Sequence, residues 1–513
     1  MARLKPETLF ERARQSCVEI ETNRALFEEA DEFTNPFRNT FQEGRQTHQM
    51  SPKLFDSTAM IAMINFVNTM VSKFTPPFMR WAEIKAGPAV QEDQKDVVNK
   101  GFQNVTDIIF TNLNASNFNT AAPEMYWELG KGTGALLCLE GDEFQPLHFI
   151  SVPLSQLGFS EGKNGLIDFV VRKWKIKPRL IKETWKKAKI SKNLLTSIKD
   201  KPDEEVDIKE CFYYDYEEMI WHYEVLFDKE KDILFHGTSR TCPVVVVRWL
   251  KIPGFVTGIG PALMALPDIK TLNKMKEYML RLAALNVFGV YTVTDGGVFN
   301  PNSIKIKPGA FITVKKNGGS EGKTIEPLPV AGNFQTQEYM INGLQDQIRQ
   351  VMLDNRLPPE NGPVKSALEI AERVKSLTTD IGASFGRLMF EFVGPLFRRI
   401  VEVLMKKGLL NLPKGFDIDN FFVQIQVVSP IAQQQSFEDV QKFTQAFQIV
   451  QGIDPELAQL AFMFEDIPTY IAEQLGSPAK LMRSKEEIMQ IKEIVMQRVQ
   501  QRIEETMAGK ETV

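Results

Sequence analysis

Apolar positions recur at three- and four-residue steps along most of the chain and shorten to strand-like runs in two regions. Leu54, Thr58, Ile61, Ile64, Asn65, Asn68 and Val71 keep the helical step. This predicts a helix within the first 85 residues, N-capped by Asp56 or Ser57 and stopped at Pro76-Pro77. A second helical stretch covers 91–129. From Ala135 to Lys175 the runs ALLCLE, LHFISV and IDFVVRKW are separated by Gly141, Gly158, Gly162 and Gly165, and read as strands with turns. Strands resume at YEVLFD, DILFHG and PVVVVRWL.

The centre carries the strongest pattern. Pro261–Asn286 reads as a long amphipathic helix with Leu272, Met275, Met279 and Leu282 on one stripe and Lys270, Lys274, Lys276, Glu277 and Arg281 off it. Residues 287–332 turn to β and loop. Phe334–Arg356 is helical again, with Met340, Ile341, Leu344, Ile348, Val351 and Met352 on one side and Gln335, Gln337, Asn342, Gln345 and Gln350 on the other. Leu357, Pro358, Pro359, Glu360, Asn361, Gly362 and Pro363 form a loop that no helix can include. Ala367–Lys407 then holds helical spacing throughout, with a kink expected at Gly394-Pro395. The stretch 431–507 is Gln-rich helix. Its seam of Ile488, Ile491, Val495 and Val499 suits either packing against copies of itself or packing on its own chain. No repeat of fixed period is present. The fold class this predicts is α+β, mainly helical.

Composition narrows the function. The 513 residues are 43% hydrophobic and 25% charged, ordinary for a folding chain, and at about 150 residues per domain hold three or four domains' worth of core. Lys plus Arg total 61 against 65 Asp plus Glu, a net charge of −4, so a broad nucleic-acid grip is not expected. Residues 173–201 are nonetheless strongly basic, and a run of acids from Glu204 to Glu218 follows directly. A contact to nucleic acid or to an acidic partner competes here with a solvated outer helix, and the acids weaken the field beyond a Debye length. Cys17, Cys138, Cys211 and Cys242 form no close pair and read as small buried hydrophobes in a reducing compartment. The charged N-terminus has no apolar signal region, and Ala59–Val71 is too short to span a bilayer, so a soluble chain of cytoplasmic origin is expected.

Catalytic motifs fail on context. Gly322-Lys323-Thr324 lacks the glycine five places earlier and the helix that a phosphate loop needs. Gly382-Ala383-Ser384-Phe385-Gly386 fits GxSxG but lies inside a helix, and His48, His148, His222 and His236 all precede it. Gly130-Lys131-Gly132-Thr133-Gly134 runs helix to strand, the reverse of a dinucleotide fingerprint. No metal-ligand motif is present, and no cofactor, metal or catalytic residue is expected. Any enzyme here would have an unmarked site.

Three strings, taken in order, carry a resemblance: LFDSTAMIAMINFVNTMVSKFTPPFMRW (54–81), GIGPALMALPDIKTLNKMKEYMLRLAAL (258–285), and SALEIAERVKSL with GRLMFEFVGPLFRRIVEVLMKKGLL (366–410). They are similar to the portal, or head-to-tail connector, proteins of short-tailed bacteriophages. Asp56, Ser57, Thr58, Pro76, Pro77, Trp81, Gly258, Gly260, Pro261, Asp268, Asn273, Glu369, Arg373, Pro395 and Leu396 fit the family's positions. Ser366-Ala367-Leu368 stands where many relatives have Thr-Ala. The likeness covers about residues 50 to 410.

The resemblance implies a ring, usually of twelve copies, at one capsid vertex of the virion, assembled in the host cytoplasm. It implies a wing (1–260), a first stem helix (261–286), a β clip (287–332), a second stem helix (333–356), a tunnel loop (357–365), a kinked wing helix with its following segment (366–430) and a helical crown (431–513). Double-stranded DNA would pass through. The implied partners are further copies of the chain, the terminase large subunit, a tail adaptor, and the major capsid and scaffolding proteins, with no membrane. Twelve helices about 10 Å across would lie on a circle about 38 Å wide and leave a bore of roughly 28 Å, enough for one duplex. Few basic side chains should line it, because repeated phosphate contacts would hold the strand. The lining candidates are Asn342, Gln345 and Arg349 in the stem and Lys305, Lys307, Lys315, Lys316 and Lys323 in the clip. A soluble scaffold or adaptor that binds only protein, and an enzyme with an unmarked site, are the competing readings.

Overall fold

The two periodicities of the sequence become helices and sheets, all antiparallel among the described pairs except Tyr291–Thr294 with Phe311–Val314, in the computed structural model. It describes residues 4–37, 54–87, 89–90, 92–227, 232–294, 310–314, 325–327, 334–354, 384–410, 423–427, 430–453, 467 and 471. In chain order these form α1 (Pro6–Gln15), α2 (Val18–Thr22), α3 (Arg24–Thr34), α4 (Thr58–Lys73), β1 (Ala82–Ala86), α5 (Glu92–Ala115), α6 (Phe118–Lys131), β2 (Thr133–Glu140), β3 (Leu147–Ser151), β4 (Leu157–Glu161) and β5 (Ile167–Ile176). Then come α7 (Ile181–Thr184), α8 (Lys192–Asp200), β6 (Val206–Asp215), β7 (Ile220–Phe227), β8 (Asp232–Ser239), β9 (Val244–Arg248), α9 (Pro261–Phe288), β10 (Tyr291–Thr294), β11 (Phe311–Val314), β12 (Ile325–Pro327), α10 (Phe334–Val351), α11 (Gly394–Lys406), β13 (Val423–Val427) and α12 (Pro430–Ile453). No described helix is long and apolar enough to cross a membrane.

The described residues divide between two compact units. One lies within Met1–Thr69, Ala122–Leu137 and Ser151–Leu388, the other within Met70–Ala121, Cys138–Ile150 and Met389–Val513. In the first, β4, β5, β6, β7 and β8 make an antiparallel meander in sequence order. Alternate residues of a strand face opposite sides, and here both sides are covered. Phe169, Val171, Cys211, Tyr213 and Leu226 pack on Leu9, Phe10 and Ala13 of α1 and on Cys17. Ile176, Val206, Ile208, Val225, Phe227 and Leu234 pack on Ile181, Trp185 and Leu194 of the 181–200 segment. Both strand parities are therefore apolar. β9 pairs antiparallel with β2. Helices α9 and α10 pack on each other, and β11, β10 and β12 form a small sheet from the segment between them.

The second unit is built on aromatic side chains. Trp81 meets Phe397 edge-on at 5.4 Å and stacks on Phe118 at 6.0 Å, and Phe118 meets Phe149 at 5.3 Å. β1 pairs antiparallel with β13. At Gly394-Pro395, where a kink is expected, the helix runs on through five π-helical residues, Met389–Val393, into α11. Proline has no N–H to continue the α ladder, and the wider turn absorbs the mismatch.

Four expectations need correction. Ile61, Ile64 and Asn68 of α4 face outward, and the buried face is Ala59, Ala62, Met63, Asn65, Phe66, Val67 and Met70. A helix apolar nearly all round has no unique stripe, and small alanines allow the closer approach. The stretch 91–129 is two helices. Asn117 ends the first by exchanging hydrogen bonds with the Phe149 backbone, its Nδ2 donating at 2.7 Å and its Oδ1 accepting at 2.8 Å. Met340 is exposed rather than part of the buried side of α10. The basic run is a strand end and two short helices, not one solvated helix. The seam Ile488, Ile491, Val495 and Val499 lies outside the described residues. The four cysteines are free thiols, with Cys17, Cys138 and Cys211 buried. Burial raises all three of these, Cys138 to about 12, which leaves them inert.

Candidate functional site

Asp56, Gly258, Gly260, Pro261 and Asn273, with the described lining candidates, lie on α9, α10 and the elements that hold their base, all within the first unit; Pro76, Pro77, Trp81, Pro395 and Leu396 lie in the second. Helix α9 begins at a constrained place. Gly260 is extended, Pro261 occupies the first turn, and the proline's fixed φ suits that position. Just upstream, Gly258 lies against Gly132 with no room for side chains. A Cβ on Gly132 would meet the Gly258 carbonyl oxygen at 2.1 Å, and one on Gly258 would meet the Gly132 carbonyl oxygen at 2.2 Å. The two glycine-rich strings are therefore a pair of backbones in contact. Gly258 N–H donates to Thr133 Oγ1 at 2.9 Å, and Gly260 N–H to the Lys131 carbonyl at 3.2 Å.

Carboxylates hold the turn in front of α9. Glu19 accepts hydrogen bonds from the N–H groups of Val256 and Thr257, the latter at 2.7 Å, and from the Thr257 hydroxyl at 2.6 Å. Glu161 pairs with both Arg248 and Lys251. Burial pushes the Glu161 carboxyl up, but the hydrogen bonds from Lys251 and Arg248 outweigh it and hold the group below its ordinary 4.5. A carboxylate depressed in the folded state stabilises it above the unfolded pKa, and that contribution is lost as pH falls through the folded value. Glu161→Gln should therefore lower stability at neutral pH by about 1 kcal/mol and flatten the acid side of the stability profile below pH 4.5. Urea midpoints measured from pH 7 down to pH 3 check both effects.

The base of the helix pair is joined to α4 by buried polar groups. Asp56 Oδ1 caps α4 through the Thr58 N–H at 2.8 Å. Asn273 Oδ1, on α9, accepts the N–H groups of Phe55 and Asp56 at 3.0 and 3.1 Å. Gln345 Nε2, on α10, donates to Asp56 Oδ2 at 2.8 Å, and Asn65 Nδ2 donates to Asp354 Oδ2 at 2.7 Å. The same unit holds a buried ion cluster in which Lys131 Nζ stands 2.9 Å from Asp31 Oδ2 and 3.0 Å from Glu128 Oε2. Sequence reasoning missed Glu19, Asp31, Lys131 and the Asn65–Asp354 pair. Lys131 sat in a glycine-rich string, and Asp31 stood between Ala30 and Phe33, so a charge inside an apolar face was the available signal.

Beyond the base the helix pair changes character. Pro261, Ala265, Ile269 and Leu272 of α9 are buried, whereas Tyr278, Leu280, Val287 (80% exposed) and Phe288 stand open, as do Tyr339 (81%) and Met340 on α10. Several of the charges on these helices are paired locally. Glu277 meets Lys274 at 2.8 Å and also Arg281, and hydrogen bonding from Lys274, with the two nearby cations, lowers its pKa. Arg349 pairs with Asp346 at 3.0 Å.

Of the lining candidates, Asn342 and Arg349 are exposed on α10. Gln345 is half-buried, and its amide donates to Asp56 Oδ2. Lys305, Lys307, Lys315, Lys316 and Lys323 and the loop 357–363 lie outside the described residues. Ser384 is buried in a helix, and among the described residues no group of His, Cys, Asp and Glu could hold a metal ion.

No curated protein matches this sequence. A chain in the virion of a native gene transfer agent particle is 10% identical, with a TM-score of 0.37 over 91% of this chain and 99% of that one. A chain in the neck of an empty gene transfer agent particle is also 10% identical, with a TM-score of 0.34 over 82% of this chain and 90% of that one. Those likenesses are distant, and the assignment rests on sequence. The family described as bacteriophage head to tail connecting protein matches residues 7–482, and the chain belongs to that family.

Proposed function

We propose that this chain is the portal subunit of a virion, forming a ring of about twelve copies at one capsid vertex, through which double-stranded DNA is packaged and later ejected. The supporting observation is the α9–α10 pair. Its base is clamped by Gly132/Gly258, Asp56, Asn273 and Gln345, while its far length leaves Tyr278, Leu280, Val287, Phe288 and Tyr339 open. A helix pair that spends buried polar contacts on orientation and leaves large apolar side chains uncovered suits packing against sibling subunits. In this reading 261–286 and 333–356 are the stem, 287–332 the clip, 357–365 the tunnel loop, 1–260 with 366–430 the wing, and 431–513 the crown.

The clip would face the terminase large subunit during packaging and a tail adaptor afterwards. The wing would face the major capsid and scaffolding proteins in the host cytoplasm. The chain contributes no catalysis, since the motor supplies the energy. Its local charge pairs keep the stem close to neutral toward a sliding duplex. Negative-stain microscopy of purified protein tests the proposal: rings with a central hole are expected, and compact monomers without an aperture would end it.

A finer expectation concerns Arg349 and Lys316 as basic rings that centre the strand. Arg349 is exposed and its pairing with Asp346 is worth under about 1 kcal/mol, so its loss does not reach the fold. The double variant Arg349→Ala, Lys316→Ala should assemble normally and change packaging yield. Unchanged yield with normal rings would remove both residues from the bore.

A further inference from the structure

The basic run divides into two sets. Lys173, Lys175, Lys177, Arg179 and Lys201 each have a carboxylate within 4.0 Å, on Glu21, Asp207, Asp203 or Glu204. Lys182, Lys186, Lys187, Lys189 and Lys199 are exposed, and none makes an ion pair among the described residues. Residues 181–200 carry six lysines against Glu183 and Asp200. Of the acids that follow, Asp203, Glu204 and Asp207 are engaged with the flanking bases, so they offset the second set less than their number suggests.

The fold fixes this set outward. Ile181, Trp185 and Leu194 are buried on the five-stranded sheet, with Ala188, Ile190 and Ile198 partly so, and the lysines occupy positions between them. Trp185 Nε1 donates to the Tyr223 hydroxyl at 2.7 Å, which donates to Glu210 Oε1 at 2.8 Å. Lys189 N–H donates to the Leu234 carbonyl at 2.7 Å, tying the segment to β8. The platform is therefore held by buried contacts that no lysine supplies. Lys186, Lys187 and Lys189 lie within ~11 Å of chain, about one Debye length, so their fields add.

We infer that residues 181–200 form a sequence-independent docking surface for the phosphate backbone of double-stranded DNA, separate from any channel lining. The chemistry favours phosphate. Its cations are all lysines, which act on phosphate as point charges with no fixed fork geometry, as contacts to a backbone of any sequence require. Its tryptophan is buried, so it offers no ring for stacking unpaired bases, which points to a duplex. This inference rests on the portal reading for the presence of the duplex, but not on how the duplex moves.

The test is duplex binding by the full chain, followed by fluorescence anisotropy of a short random-sequence duplex across a salt series. Lys186→Ala/Lys187→Ala/Lys189→Ala is compared with wild type and with Lys201→Ala, whose lysine is already paired. Losing three phosphate contacts should take about 2.7 off the slope of log affinity against log salt, and weaken binding at least tenfold at low salt, with the control unchanged. All three side chains are exposed, so circular dichroism should show the same fold. A triple variant that keeps wild-type slope and affinity overturns the inference. So does displacement of the duplex by polyglutamate of matched charge at equal concentration, which would assign the surface to an acidic protein. Rings by negative stain with an unaltered slope sink only the docking surface. A lost slope in a protein that forms no rings sinks only the portal reading.

Discussion

Replacing Lys131 by methionine should cost about 3–5 kcal/mol, a large part of the roughly 5–15 kcal/mol that holds a domain together. Lys131, Asp31 and Glu128 are each 4% exposed or less. The ammonium lies 2.9 and 3.0 Å from the two carboxylates. Deleting the cation leaves two negative charges close together and out of water. The penalty comes from the repulsion between those two carboxylates more than from the lost attraction, because desolvation takes back most of what a complete buried ion pair gains. The double variant Lys131→Met, Glu128→Gln removes the repulsion and should recover a good part of the loss. Urea midpoints of the two variants against wild type check this, and a single-variant loss under about 1 kcal/mol would show that water reaches the cluster. The consequence extends past the cluster, because the Lys131 carbonyl receives the Gly260 N–H at the start of α9.

The elements that could be read from the sequence are those whose signal is local. The start of α9 is written in Gly260-Pro261, and the irregular turn before α11 in Gly394-Pro395, because proline's missing N–H acts on its own turn. The outward face of α4 was not legible. Ile61 and Ile64 have the stronger hydrophobic signal, but Ala59 and Ala62 fit the closer contact, and only the neighbouring elements decide between them. Gln345 shows the same limit for the site. Its polarity is legible on a long amphipathic helix, but its partner Asp56, 289 residues away in sequence, is not. The resemblance reached further than periodicity because it marked Asp56, Gly258, Gly260 and Asn273 together. The structure places all four at the base of one helix pair, where each supplies a backbone or side-chain contact that no local pattern records. The run 173–201 divides into paired and unpaired lysines only once strand register brings Asp207 opposite Lys175.

Gly258→Ala should be the most damaging of the small substitutions, and the comparison that isolates the reason is Gly343→Ala. At Gly258 the added carbon would stand 2.2 Å from the Gly132 carbonyl oxygen, and neither backbone can withdraw without moving α9 or β2. The Thr133 bond to the Gly258 N–H and the Lys131 bond to the Gly260 N–H would be stretched by the same movement. Overpacking a well-filled site costs about 1–3 kcal/mol where side chains can yield, and a backbone-on-backbone contact lies at or above the top of that range. Gly132→Ala should behave alike, since its φ of +137° is strained for any residue with a Cβ and its clash is with the same segment. Gly343, within α10, has open space where a Cβ would go, so alanine there should stabilise by roughly 0.5–1 kcal/mol through a less mobile unfolded chain. The same methyl group thus acts in opposite directions at the base of α9 and along α10. Thermal midpoints measure the signs, and negative stain measures whether a displaced α9 still lets subunits assemble. A Gly258→Ala protein with an unshifted midpoint and normal rings would mean that the two glycine strings do not bear on each other, and that α9 is oriented by Asp56 and Asn273 alone.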